Sequence, residues 1–241
     1  LPQLLEWLAA QQADVVCPQE TKLEDHNFPQ QAIEAAGYQV IFSGQKTYNG
    51  VALLARETPS DVEYGNPYFP DPQKRLIAAT VNGIRVVCAY IPNGQAVGSE
   101  KYAYKLAWLA ALEAWIGEQL TTSPKLALAG DFNIAPDDRD VHNPAAWAGQ
   151  ILCSGPERAA FQRLLSLGLK DSFRLFEQPE KSFSWWDYRM LGFQKNQGLR
   201  IDHILLSAPL AERCIAAGIE RDMRKRERPS DHAPVTALIA E

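Results

Sequence analysis

No stretch of the 241 residues approaches the ~20 consecutive apolar residues that a membrane-spanning helix needs. The longest apolar segments, such as Val86–Ile91 and Leu126–Ala129, are strand-sized. Basic charge is not in excess either: 24 Lys and Arg stand against 29 Asp and Glu, a formal net charge of −5. That argues against a protein that coats nucleic acid through a generally basic surface, and leaves open a nucleic-acid enzyme with a carboxylate metal site. Cysteine is sparse. Cys17, Cys88, Cys153 and Cys214 lie far apart with no CxxC and no Cys/His cluster, which excludes a zinc ribbon and a small disulfide scaffold. Cys17 and Cys88 sit in apolar runs and read as small core residues in a reducing, cytoplasmic setting. There is no internal repeat, no linker-like stretch, no signal peptide and no initiator Met. Leu1–Leu8 already reads as an amphipathic helix, so an upstream segment is expected to be missing from this sequence.

What is present is globular, with 46% hydrophobic and 22% charged residues. The apolar spacing predicts helices over Leu1–Gln12, Phe28–Ala36 (closed by Gly37), Lys101–Leu120 (apolar at Leu106, Leu109, Leu112 and Ile116) and Pro156–Leu167, with Ser154 as cap and Gly168 as stop. Asp14–Pro18 is a buried apolar run. Strands are predicted at Tyr38–Phe42, Val51–Ala55, Leu76–Val81, Arg85–Tyr90, Leu126–Ala129, Arg200–Leu206 and Val235–Ile239. Asn82-Gly83 is the dipeptide that a type I′ hairpin turn prefers. Residues 1–241 read as one α/β domain, a sandwich of two sheets flanked by helices.

The informative residues are polar and stand at strand ends, where rigid elements present loops. They fall in Gln19-Glu20-Thr21-Lys22, Tyr90-Ile91-Pro92-Asn93-Gly94, Gly130-Asp131-Phe132-Asn133, Arg200-Ile201-Asp202-His203 and Ser230-Asp231-His232-Ala233-Pro234. Each has a plain alternative. Glu20 could be a solvated turn residue, Asp131 and Asn133 an Asx turn, Asp202 a salt-bridge partner of Arg200, Asp231-His232 a strand cap, and Tyr90 a core tyrosine. Together they point to chemistry. A carboxylate beside an apolar run costs stability unless it is paired or bound to a cation. Glu20 and Asp231 offer the hard oxygens that suit Mg²⁺. Asp131 and Asn133, at i and i+2, can orient a water aimed at phosphorus. A histidine backed by an aspartate has a fixed tautomer, and a phenol can meet a phosphate oxygen. These parts describe metal-assisted hydrolysis of a phosphate ester.

Those segments, in that order, resemble the exonuclease III family of apurinic/apyrimidinic (AP) endonucleases, within the endonuclease/exonuclease/phosphatase superfamily and its DNase I-like fold. The resemblance runs from Leu1 to the end, and Phe183-Ser184-Trp185-Trp186-Asp187-Tyr188 narrows it to the DNA-repair branch. It implies a four-layer sandwich of two mixed β-sheets flanked by helices. It also implies a Mg²⁺-dependent phosphodiesterase (Mn²⁺ as substitute) acting on double-stranded DNA at abasic sites or 3′ ends, as a cytoplasmic monomer. Glu20 would bind the metal with Asp231 assisting. Asp131 would handle the attacking water and Asn133 would orient it. His232, held by Asp202, would stabilise charge on the phosphate, and Tyr90 and Asn93 would contact it. Trp185 would wall a flipped-out abasic sugar, with Leu199 alongside.

The family's N-terminal strand, which carries an Asn beside the metal, has no counterpart here, and Pro18 stands where an apolar strand residue is expected. Other readings are a different superfamily phosphoesterase, or a DNA-damage binder impaired by the missing strand. Trp185-Trp186 and the Arg224-Lys225-Arg226 run favour polymeric DNA over soluble phosphate esters.

Overall fold

All five residues of Val51–Ala55 are buried, so this strand must be covered on both faces. In the computed structural model, which describes residues 1–240, that requirement sets the layers. In chain order the elements are α1 (Pro2–Gln11), β1 (Val15–Val16), α2 (Gln30–Ala35), β2 (Gln39–Ser43), β3 (Val51–Ala55), β4 (Ser60–Tyr64), β5 (Leu76–Val81), β6 (Ile84–Tyr90), α3 (Glu100–Thr122), β7 (Leu126–Asp131), α4 (Pro144–Trp147), α5 (Gly155–Ser166), β8 (Lys170–Asp171), β9 (Trp185–Trp186), β10 (Gly198–Leu199), β11 (Asp202–Leu206), α6 (Ala208–Ala211), β12 (Cys214–Ile219) and β13 (Val235–Ile239).

Alternation along β3 sends its side chains both ways. Ala52 and Leu54 pack under Trp7 and Leu8 of α1 and Ile33 of α2. Val51, Leu53 and Ala55 face Ile77, Ala79, Val86 and Cys88 of β5 and β6. β3 is the middle of an antiparallel sheet ordered β1-β3-β2, and β5 and β6 lie in a six-stranded sheet ordered β4-β5-β6-β7-β11-β8. The far face of that larger sheet (Ala78, Val87, Ala89, Leu128) is covered by Trp108, Leu109, Leu112, Trp115 and Ile116 of α3 and by Ala160, Phe161 and Leu164 of α5. The result is helix, sheet, sheet, helix: the expected four layers. β6 and β7 are parallel, so their connection must cross over, and α3 is that crossover.

Sequence and structure agree best where the pattern is apolar. β3, β5 and β13 have the predicted bounds, and Asn82 and Gly83 both take positive φ (49° and 73°), as a type I′ turn requires. β1 stops at Val16; Pro18 lies beyond it, yet its carbonyl still accepts from the Ala52 amide at 3.0 Å. β4 and β12 escaped prediction because they lie at sheet edges. β4 is mostly exposed and polar, and β12 is built from small, partly exposed residues. Arg200 and Ile201 precede β11 rather than belonging to it. No helix among the described residues is long and apolar enough to cross a membrane.

Gly130, the residue before the end of β7, has φ +150°, and a Cβ built there would lie 1.8 Å from the Ala89 carbonyl oxygen of β6. Gly130→Ala must therefore push two central strands apart. It is expected to cost about 1–3 kcal/mol, read as a fall in melting temperature. A variant that melts with the wild type would contradict this account of the β6–β7 contact.

Candidate active site

Strand register assembles the centre of the site. Tyr90, the last residue of β6, is the Cα partner of Asp131, the last of β7. Asp131 is in turn the partner of Asp202, the first residue of the antiparallel β11. Cross-strand partners carry their side chains to the same face, about 5 Å apart, so phenol and two carboxylates stand in a row at one end of the sheet. Asp131 and Asp202 are both buried. Adjacent buried carboxylates repel and need a cation or a donor.

His232 answers that need. Its Nδ1 lies 2.9 and 3.0 Å from the Asp202 carboxylate oxygens, and its Nε2 lies 3.9 Å from Asp131 Oδ2. The imidazole is brought there by backbone pairing. Trp185 bridges His232, the Trp186 amide donates to the Asp231 carbonyl at 3.0 Å, and the Ala233 amide to the Ser184 carbonyl at 2.7 Å. Burial works against the imidazolium, yet the Asp202 carboxylate, and then Asp131 and Asp231, outweigh it and raise the ring to about 10. Asp131 moves up to about 7: burial dominates, Asp202 and Glu20 add to it, and His232 and the Asn133 amide oppose it. His232 is therefore a donor at neutral pH, with 24% of its side chain open.

Asn133 completes the centre. At φ 50° its amide donates to Asp131 Oδ1 (2.8 Å), and its Nδ2 donates to Asp131 Oδ2 (3.1 Å) and the Ile91 carbonyl (3.0 Å). Asn93 Nδ2 in turn donates to Asn133 Oδ1 at 3.1 Å. The Asx turn and the site are one object here.

Glu20 stands at the edge of this group. Its carboxylate accepts from the Tyr90 hydroxyl and pairs with Lys22 at 3.0 Å. Burial alone would raise its pKa, but those two donors hold it below the usual carboxylate value. The Tyr90 phenol moves the other way, raised by burial and by Asp131 and Glu20. Glu20 and Lys22 both have positive φ (54° and 55°), conformations that persist only where the surroundings over-determine them. Amide bonds from Thr21 to the Gly50 carbonyl (3.2 Å) and from Lys22 to the Asn49 carbonyl (3.0 Å) do so. Asp231 is fixed through its side chain, accepting from the Trp185 indole at 2.9 Å.

Asp131, Asp202 and His232 have ligand atoms within 4.8 Å of one another, close enough for a cation. However, Nδ1 of His232 is already engaged by Asp202, whose carboxylate favours the protonated ring. The group is better described as a hydrogen-bonded acid–base cluster. Glu20, half-buried and held below the usual carboxylate pKa, and Asp231, fixed by the Trp185 indole, add further hard oxygen donors. This donor set fits a hard divalent cation.

The structure revises some sequence expectations. Leu199 is fully buried as the cross-strand partner of Trp185, so it backs the indole and offers no surface of its own. Arg200 does not pair with Asp202; it turns away to Asp140 and Asp171. The basic run is largely engaged within the protein. Arg224 is buried over the Tyr188 and Phe193 rings and donates to the Ser230 carbonyl, Arg226 pairs with Glu6 of α1, and Lys225 pairs with Asp222. Two cations escaped notice. Arg75 stacks on the Tyr90 ring at 4.8 Å and donates to the Tyr90 carbonyl at 3.2 Å. Lys105 lies wholly buried under the asparagines; the signal for it was a lysine within the apolar stripe of α3.

The Asp202–His232 pair makes a direct prediction. A ring whose pKa is raised on folding adds stability that is full below its unfolded value of ~6.5 and lost as pH rises toward about 10. In an NMR titration the wild-type His232 ring should stay protonated well above neutrality, and Asp202→Asn should shift its midpoint to lower pH. Midpoints near 6.5 in both proteins would contradict the pairing.

Residues 2–232 match the model of the Endonuclease/Exonuclease/phosphatase family. The chain is 41% identical over 239 residues to an exodeoxyribonuclease III from Haemophilus influenzae, covering 94% of this chain and 90% of the relative. Among solved structures it superposes on a 3′ phosphatase from Neisseria bound to a product DNA hairpin (TM-score 0.98, 46% identity, 100% of this chain and 94% of the other). It also superposes on an AP endonuclease from Archaeoglobus fulgidus (TM-score 0.94, 37% identity, 98% and 92%). With sequence, sheet order and site geometry in agreement, the chain belongs to the endonuclease/exonuclease/phosphatase family, among its exonuclease III-type members.

Proposed function

We propose that this protein is a Mg²⁺-dependent DNA-repair phosphodiesterase that hydrolyses duplex DNA at 3′ ends and at abasic sites by attack of water on phosphorus. The observation that carries the reading is the Asp202–His232–Asp131 arrangement, where an acceptor and a protonated donor lie 3.9 Å apart and the histidine side chain is partly open to solvent. A water held by Asp131 gives its proton to that carboxylate as it attacks phosphorus, and Asn133, whose amides donate to the carboxylate, keeps it and the water oriented. The His232 Nε2–H donates to a non-bridging phosphate oxygen as charge develops there, and Asp202 keeps the ring protonated and oriented. Tyr90 and the exposed Asn93 contact the same phosphate. Glu20 holds the metal, with Asp231 assisting. The bound cation supplies neutralisation of phosphate and leaving-group charge, for which Mn²⁺ can substitute.

The half-buried Trp185, pinned by Asp231 and backed by Leu199, forms the wall for an extruded abasic sugar. A base-free nucleotide leaves the stack at lower cost than a paired one, which favours such sites. The Neisseria relative's phosphatase activity and product DNA support 3′-end processing, and the Archaeoglobus relative supports incision at abasic sites.

Turnover should vanish with chelator and return with Mg²⁺, and Glu20→Gln should raise the metal concentration required; chelator-resistant activity would contradict the metal role. Asp131→Asn should abolish turnover while DNA binding is kept. Trp185→Ala should reduce abasic-site incision more than 3′-end removal, measured on matched duplexes beside melting temperature. A uniform loss that follows a fall in stability would instead make Trp185 a packing residue.

A further inference from the structure

The face of α3 turned to the core comprises Tyr102, Lys105, Trp108, Leu109, Leu112, Trp115 and Ile116. A lysine with no exposed surface in that stripe requires partners for its ammonium. Nζ donates to Glu157 Oε1 (2.5 Å), to the Asn133 carbonyl (2.6 Å) and to the Asn93 carbonyl (3.1 Å), which uses all three of its protons. Only one contact is the ion pair. The others reach the backbone of the two asparagines whose side chains are bonded to each other, one of them also to Asp131.

Glu157, from α5, carries the linkage further. Its Oε1 also accepts from the Leu152 amide (3.1 Å), and its Oε2 accepts from the amide (3.1 Å) and hydroxyl (2.6 Å) of Ser154. Gly94 (φ +90°) shows how tightly these parts fit: a Cβ there would lie 3.0 Å from both Lys105 Cδ and Ile151 Cδ1. A single buried cation thus touches, directly or through Glu157, the loops that follow β6 and β7 and the segment leading into α5. Stability alone does not require it, since well-packed apolar residues commonly replace a buried ion pair at no loss.

We infer that Lys105 is a positioning residue for the reaction: tethered by Glu157, its ammonium locks the Asn93 and Asn133 backbones together, so that the Asn133 amide and the Asp131 carboxylate keep one fixed relation. This rests on the phosphodiesterase reading above. A misplacement of about 1 Å in such a group can cost ~10²-fold in rate.

The test uses Lys105→Met/Glu157→Gln, which removes both charges and strands neither, beside Lys105→Arg, which keeps the cation in another shape. Melting temperature, kcat and KM on a 3′-recessed duplex, and the NMR resonances of the Asn133 side-chain amide are read for each. The double variant, which leaves the Asn93 and Asn133 carbonyls without their donor, should melt below wild type while folded at the assay temperature, and lose about 10²-fold in kcat, with KM within about threefold and the Asn133 amide resonances displaced. Lys105→Arg should fall between the double variant and wild type in kcat. Wild-type kcat and unmoved Asn133 resonances in the folded double variant would overturn the inference. If that variant does not fold, wild-type kcat and unmoved resonances in Lys105→Arg would overturn it instead. A wild-type protein that turns over no DNA substrate would reject the phosphodiesterase reading, whereas an active wild type matched by its Lys105 variants would reject the positioning role alone.

Discussion

Two carboxylates, Asp131 and Asp202, face each other across adjacent strands in a buried position, and the surrounding site follows from that conflict. Like charges directly opposite each other in a sheet are destabilising, and burial amplifies the cost. The compensation is a protonated His232 placed against both, with Lys105 bonded to the backbone of Asn93 and Asn133 in the loops that follow β6 and β7. The site is therefore electrostatically prepared before any substrate arrives: an acceptor that needs a proton beside a donor that holds one. A phosphate ester undergoing attack presents the complementary needs, a water to deprotonate and an oxygen gathering negative charge.

The scaffold makes this arrangement rigid. The row of Tyr90, Asp131 and Asp202 is fixed by continuous ladders in the six-stranded sheet. Glu20 lies outside that sheet and reaches the row through a loop held at positive φ by backbone bonds to residues 49 and 50. Trp185, Asp231 and His232 form one unit in which backbone pairing and an indole–carboxylate bond fix the indole relative to the histidine. Sheet, strained loop and lateral unit thus bring four carboxylates together with three cationic side chains, His232, Lys22 paired with Glu20, and Arg75 stacked on Tyr90.

Much of this was legible because function had placed polar residues where an apolar pattern should continue. Asp131 follows, Asp202 interrupts and His232 precedes a run that reads as a strand, and the apolar pattern located β3, β5 and β13. Register was not legible: nothing in the sequence states that Tyr90, Asp131 and Asp202 are cross-strand partners. Lys105 was hidden because a lysine on a long helix reads as solvated until its face is known. The burial of Leu199 and the pairing of Arg224, Lys225 and Arg226 within the protein were not legible for one shared reason: composition reveals what a side chain can do but not which neighbours it meets. β4 and β12 lacked the apolar alternation that marks a strand, since edges need not bury both faces.

The most direct test of the account is the fate of solvent oxygen. In a single turnover on a 3′-recessed duplex in H₂¹⁸O with Mg²⁺, water attack on phosphorus predicts one ¹⁸O atom in the phosphate of the released mononucleotide. A released phosphate carrying no ¹⁸O would mean that the bond breaks by another route, and the roles given to Asp131 and His232 would have to be abandoned.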